Sequence, residues 1–313
     1  MKNKPFEYSP SPVVPFRDKA EIERCRAIKR EDIERHPNPD FRIRVIKEAD
    51  LGFMWVTDMY ARIKQAGEES RRCVMMMPNP CPAVYEPLSR LINATRLDCR
   101  HVWFFALDEY ANEDGQVAPE DWQFGFMHSM LTHLYYGIDE DLRPPRKQVH
   151  GPNNQNIDHY YDLMQEAGGA EISYTGPGWT GHVAFVEPDA PEFEGSLEEF
   201  KQMGARICTL SPFTLAQNSM HGSFGMSGDL AAVPPMAATV GPKEVIAAGH
   251  RWEVAAIGVH GTATSWQRMI ARLCYHGPVT PKLPSSIHQQ LRTDCYIGQS
   301  VADNIEPDWD KGY

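Results

Sequence analysis

What most constrains this chain is an alternation of short apolar runs with stretches of helical spacing. Phe41-Arg-Ile-Arg-Val-Ile46, Cys73-Val-Met-Met-Met77 and His101-Val-Trp-Phe-Phe-Ala-Leu107 read as strands, as do Ile172–Thr175, Arg206–Leu210 and Ala255-Ala-Ile-Gly-Val259. Between the first two, Ala49–Ala66 places Leu51, Trp55, Met59 and Ile63 at helical spacing, and Gly67 supplies a C-cap. Ala83–Thr95, Glu120–Tyr135, His159–Ala167 and Ser265–Tyr275 read as further helices. Apolar strands joined by helices predict an α/β fold: a mostly parallel, Rossmann-like sheet with helices on both faces. Ligands in such folds sit at the C-terminal ends of the strands. Three polar turns fall at those ends: Pro78–Pro82, Asp108–Tyr110 and Gly176–Pro188.

Residues 1–40 read as an N-terminal extension. Pro5, Pro10, Pro12 and Pro15 prevent a regular start, Asp18–Glu34 is charged and of helical character, and Pro37 and Pro39 break the chain. From residue 41 to 313 no linker-like composition break occurs, so a single α/β domain is expected. The net charge of −11 disfavours nucleic acid and anionic membranes as partners. No apolar run approaches the ~20 residues of a membrane span, and the polar, proline-rich start does not read as a signal peptide. Seven cysteines without a CxxC pair suggest reduced thiols in a cytoplasmic protein.

Two segments carry chemistry. In Thr175-Gly-Pro-Gly-Trp-Thr-Gly-His-Val-Ala-Phe-Val-Glu-Pro188, three glycines allow a tight turn with close backbone approach to a ligand. His182 follows, and Glu187 stands five residues later. A carboxylate beside an imidazole fixes its tautomer for proton transfer, although the same pair also serves packing alone. In Phe104-Phe-Ala-Leu-Asp-Glu-Tyr110, an acidic pair ends a buried strand. Asp108 is either a base held at the strand end or a cap of the following loop. The histidines lack HxxxH or HExxH spacing, and Pro177 argues against a dinucleotide fingerprint at Gly176–Gly181. No cofactor and no metal are expected.

Together, the segments resemble one family. Leu107-Asp-Glu-Tyr110 resembles its MDEY motif, and Gly176-x-Gly-x-x-Gly-His-x-Ala-Phe-x-Glu-Pro188 resembles its second signature. Trp122-Gln-Phe-Gly-Phe-Met-His128 is similar to the helix after the first motif. The family is glucosamine-6-phosphate deaminase/isomerase, a sugar isomerase fold related to 6-phosphogluconolactonase, and the resemblance runs from about Phe41 to Asn304. It implies that Asp108 moves a proton between C1 and C2 of an open-chain sugar, while His182, supported by Glu187, opens the ring. It further implies a small sugar substrate, placed among Asn79, Glu109, Gly176, Gly178, Thr180, Gly181, Ala184, Met220, His221 and Thr264, and it allows a homo-oligomer.

The chain departs from the family at two places. Thr180 stands where the family has an aspartate, so one of two carboxylates behind the histidine is replaced by a hydroxyl. The Gly-Gly-Thr phosphate loop has become Pro78-Asn-Pro-Cys-Pro82, and Pro80 and Pro82 lack the N–H donors that hold an anion. Met220 and Thr264 align with the family's phosphate-binding arginine and lysine. His221, Arg251 and Arg268 are the candidate replacements, against the commoner role of solvated charge. The expected activity is an aldose–ketose isomerase/deaminase without the usual phosphate site. A lactonase-like hydrolase and a catalytically silent sugar-binding protein are the alternatives.

Overall fold

In the computed structural model, which describes residues 7–78, 80–256 and 266–307, the apolar runs form the centre of a parallel sheet. Its strands are β1 (Phe41–Ile46), β2 (Cys73–Met77), β3 (Val102–Ala106), β5 (Val149–His150), β6 (Ile172–Thr175), β9 (His250–Ala255) and β10 (Thr293–Gly298). Their order is β1-β10-β9-β6-β2-β3-β5, with every pair parallel. A second, antiparallel sheet joins β4 (Asp108–Ala111), β7 (Arg206–Thr209) and β8 (Met236–Thr239) in the order β4-β8-β7.

The helices are α1 (Lys19–Arg26), α2 (Leu51–Glu68), α3 (Pro82–Thr95), α4 (Phe126–Met130), α5 (Tyr160–Ala167), α6 (Leu197–Gln202), α7 (Pro212–Ser219), α8 (Pro242–Ala247), α9 (Gln267–His276) and α10 (Gln299–Ala302). Strand β2 shows why the sheet is covered twice. Met75 and Met77 join a core with Met59 and Ile63 of α2 and Leu88 of α3. Val74 and Met76 join the opposite core with Tyr160 and Met164 of α5. Side chains alternate across a strand, so five consecutive apolar residues need two apolar layers. A third cluster packs Cys25 and Ile33, from the segment ahead of β1, against Phe41, Cys274, Tyr275 and Cys295. No helix among the described residues is long and apolar enough to cross a membrane.

Several elements differ from the sequence expectation. The helix expected over 18–34 ends at Arg26. Beyond it, Arg272 donates to the Ile28 carbonyl and Asn304 accepts the Arg30 N–H, tertiary bonds that replace the helical ladder. The helix expected from Glu120 begins at Phe126, after Gly125, and continues as a π-helical turn over Leu131–Tyr135. The late strand begins at His250, earlier than expected, and residues 257–259 lie outside the described residues. Arg206–Thr209 is a strand, but of the antiparallel sheet.

Candidate functional site

The three polar turns meet. With the end of α7 and His221 just after it they border a cavity of about 300 Å³, lined by Pro78, Asp108, Gly176, Gly178, His182 and His221 among others. The cavity lies at the C-terminal ends of β3, β2, β6 and β9, from Asp108 to Val254. That is three strand spacings, roughly 14 Å. A larger depression of about 560 Å³ lies at the opposite ends of the strands. Most of its charges are committed to one another: Arg62 to Asp58, Arg71 to Glu171, Arg42 and His250 to Asp294, with Arg292 the exception. We place the chemistry in the smaller cavity, where apolar walls surround few polar groups.

Asp108 is the first residue of β4, one residue after β3 ends, so the chain changes sheets at the cavity wall. Its side chain is buried at 6% exposure. Burial, with the neighbouring Glu109 charge adding to it, pushes the Asp108 carboxyl well above the ordinary carboxylate range. Glu109 points elsewhere. Its carboxylate accepts the N–H groups of Tyr110, Phe126 and Met127 at 2.7–3.1 Å and so caps the start of α4. Successive strand residues face opposite ways, so only one of this acidic pair reaches the cavity. The expected substrate contact at Glu109 is therefore corrected to a structural cap. Burial pushes its carboxyl up to about 7 against those three hydrogen bonds. Glu109→Ala should leave three buried donors without an acceptor and lower stability by about 3 kcal/mol, as read by urea denaturation; a substrate contact would leave stability nearly unchanged.

His182 is set by the glycine turn. A Cβ at Gly178 would meet its Nε2 at 1.8 Å, so only glycine lets the imidazole lie against this backbone. Gly176 is required for close packing, since a Cβ there would meet the Val254 carbonyl at 2.4 Å. Gly181, at φ +81°, faces Leu283, Cys274 and Ile270 behind the cavity, not the ligand space. Ala184 borders the cavity in a left-handed conformation at φ 51°, a strained state for a residue with a Cβ.

Behind His182, the hydroxyls of Thr180 and Thr214 lie 3.0 and 3.1 Å from Nδ1. Thr180 also donates to Glu187 Oε2 at 3.0 Å, and that carboxylate stands 3.5 Å from Nδ1. Because the Thr180 proton is given to a carboxylate, its lone pair accepts the Nδ1–H. The ring proton is thereby held on Nδ1, and Nε2 is free to accept. Burial alone would raise the Glu187 carboxyl. The facing imidazole and hydrogen bonds from His182, Thr214 and Thr180 outweigh it and hold the group below its ordinary value. Thr180 thus relays the contact that the family's aspartate would make directly. Thr214, on α7, has no sequence signal beyond its type.

The remaining expected site residues divide. His221 borders the cavity, with its Nδ1 buried and unpartnered. Burial, and then the nearby His182, push it down to about 4, so it is neutral near pH 7 and no cation. Met220 is 45% exposed and lies outside the cavity lining. Arg251 donates to the carbonyls of Val245, Ile246, Ala248 and Arg292, and Arg268 to that of Ser300. Neither borders the cavity, so the candidate replacement cations are corrected as well. Asn79 and Thr264 lie outside the described residues. Among the described lining residues there is no lysine or arginine, and the sequence of 257–265 contains none either.

No family model matches the chain. Glucosamine-6-phosphate deaminase 2 of Bacillus subtilis is 29% identical over 211 residues, covering 66% of this chain and 74% of that protein. A glucosamine-6-phosphate deaminase of Bacillus velezensis is 34% identical over 133 residues, 39% of this chain and 52% of its own length. Among solved structures, a monomeric glucosamine-6-phosphate deaminase superposes with a TM-score of 0.66 at 18% identity, over 83% of this chain and 98% of that one. A 6-phosphogluconolactonase from Trypanosoma cruzi gives 0.59 at 14% identity, over 87% and 100%. Those structural likenesses speak for the fold, and the sequence matches speak for descent. In sequence the chain is similar to glucosamine-6-phosphate deaminases, and it has the fold that solved structures of such a deaminase and of 6-phosphogluconolactonases share.

Proposed function

We propose that the protein is an aldose–ketose isomerase/deaminase acting on an unphosphorylated amino sugar. The observation that carries this reading is the pairing of Asp108 with the His182–Thr180–Glu187 relay around a cavity whose described lining residues include no lysine or arginine. His182 Nε2 accepts the anomeric hydroxyl proton and returns it to the ring oxygen as the C1–O5 bond breaks, leaving an aldehyde at C1. The Asp108 carboxylate then removes the C2 proton, giving an enolamine, and delivers that proton to C1. The resulting ketimine at C2 takes up water and releases ammonia, leaving a ketose. A buried carboxyl with a raised proton affinity suits this step, because the carbon acid is weak and the base must be strong.

The wall around Leu51, Trp55, Pro78 and Pro80 supports the unphosphorylated substrate. An anion placed there would be desolvated without a compensating charge. An open cavity also favours a working site over a silent protein. Incubation with a panel of free and phosphorylated amino sugars, scored for ammonia and ketose together, tests the proposal. Ammonia with equimolar ketose from an unphosphorylated hexosamine is expected. Neither product from the panel, with hydrolysis of a sugar lactone assayed in parallel, would favour the lactonase-like alternative.

A further inference from the structure

Two indoles mark the mouth of the cavity. Trp266, just ahead of α9, borders it, and Trp179 stacks on Trp266 with centroids 6.1 Å apart and planes at 23°. Trp179 is 44% exposed although it sits in the tight Gly178–His182 turn. Its backbone N–H is held at 2.8 Å by the Gln217 side chain, itself a cavity residue, so the ring's base is fixed. Large exposed aromatic surface joined to a ligand cavity is uncommon unless a ligand covers it.

The chemistry of the cavity limits what that ligand is. Ring opening at His182 requires a free anomeric hydroxyl, so O1 carries no substituent. With C1 and C2 committed to Asp108 and the ring oxygen to His182, the atom beside the ring oxygen that still projects is C6, on C5. Trp179 stands three residues before His182 in the same turn and stacks on Trp266, which borders the cavity, so the indole pair is a surface that a group on O6 can reach. No lysine or arginine among the described residues lines the cavity to meet a charged group. A pyranose ring presents an apolar C–H face, and an indole offers a flat surface of matching size.

We infer that Trp179 and Trp266 form a subsite for a second, uncharged sugar ring, so that the preferred ligand is an amino sugar with a free reducing end and a 6-O-glycosyl substituent. This rests on the unphosphorylated-sugar reading of the cavity. The experiment is calorimetric titration of glucosamine and of 6-O-glucosyl-glucosamine into the wild-type protein, Trp179→Ala and Trp266→Ala. The disaccharide should bind the wild type about 3–10-fold more tightly than glucosamine. Trp179→Ala should abolish that gain while leaving glucosamine affinity and turnover unchanged, and Trp266→Ala should weaken the disaccharide in the same direction. Glucosamine binding without any disaccharide gain in the wild type overturns the subsite and leaves the unphosphorylated-sugar reading standing. So does a gain that survives both substitutions, or a Trp179→Ala protein that changes only its oligomeric mass. Binding of neither sugar overturns both.

Discussion

Asp108→Asn should lower turnover about 10²–10⁴-fold, the range for loss of a positioned general base, while sugar affinity changes little. The amide keeps the carboxyl's size but takes no proton from C2. The same substitution should raise the melting temperature, increasingly so as the pH rises. Burial holds the Asp108 carboxyl well above its ordinary value of 3.8. The folded state therefore keeps a proton that the unfolded state has released. Stability present below the unfolded value is lost as pH climbs through the folded one, and the asparagine has no such loss. A merely structural aspartate would behave oppositely, with stability falling and activity following it. For the wild type, the same raised proton affinity means that turnover should increase with pH on the acidic side of its profile, as Asp108 becomes the base. Full activity in the variant would assign the C2 proton to another group.

Glucosamine 6-phosphate should bind no more tightly than glucosamine. A phosphate pocket built from three charge-assisted contacts, at roughly 1.5–3 kcal/mol each, would favour the phosphorylated sugar by more than about a thousandfold. Met220 and Thr264 are the residues expected at the cation positions from the sequence resemblance, and Arg251 and Arg268 are engaged with backbone carbonyls. His221 is neutral near pH 7. The overall charge of −11 repels a dianion from a distance. Calorimetry at low and physiological salt reads the comparison directly. A strong phosphate preference that weakens with salt would mean that donors outside the described lining rebuild the anion site.

The central strands and the turns that border the cavity are legible because their signals are local. Cys73–Met77 is apolar at every position, which a parallel strand buried on both faces requires. The glycines around His182 are legible as a tight turn, although their cause is steric: Gly178 makes room for the imidazole itself. The antiparallel sheet was not legible. Asp108–Ala111 reads as a polar turn, and only its pairing with Met236–Thr239 makes it a strand. Had it been read as one, its alternation would have sent Glu109 away from Asp108. Thr214 was invisible for another reason. Its contact with His182 spans 32 residues of sequence, and a lone threonine on a helix carries no pattern. Arg251 and Arg268 failed as anion ligands because backbone carbonyls, which sequence does not display, claim their guanidinium groups.

The most direct test of the account follows a label within the sugar. Glucosamine deuterated at C2 is turned over in ordinary water, and the ketose product is analysed by NMR and mass spectrometry for deuterium at C1. A single buried carboxyl that removes the C2 proton and returns it to C1 should carry a measurable fraction of the deuterium across, with the remainder lost to solvent and ammonia released in equal amount to ketose. Asp108→Asn should carry none. Deuterium retained at C2 in recovered sugar, with no ammonia and no label at C1 under conditions where the protein binds the sugar, would contradict the isomerase/deaminase assignment.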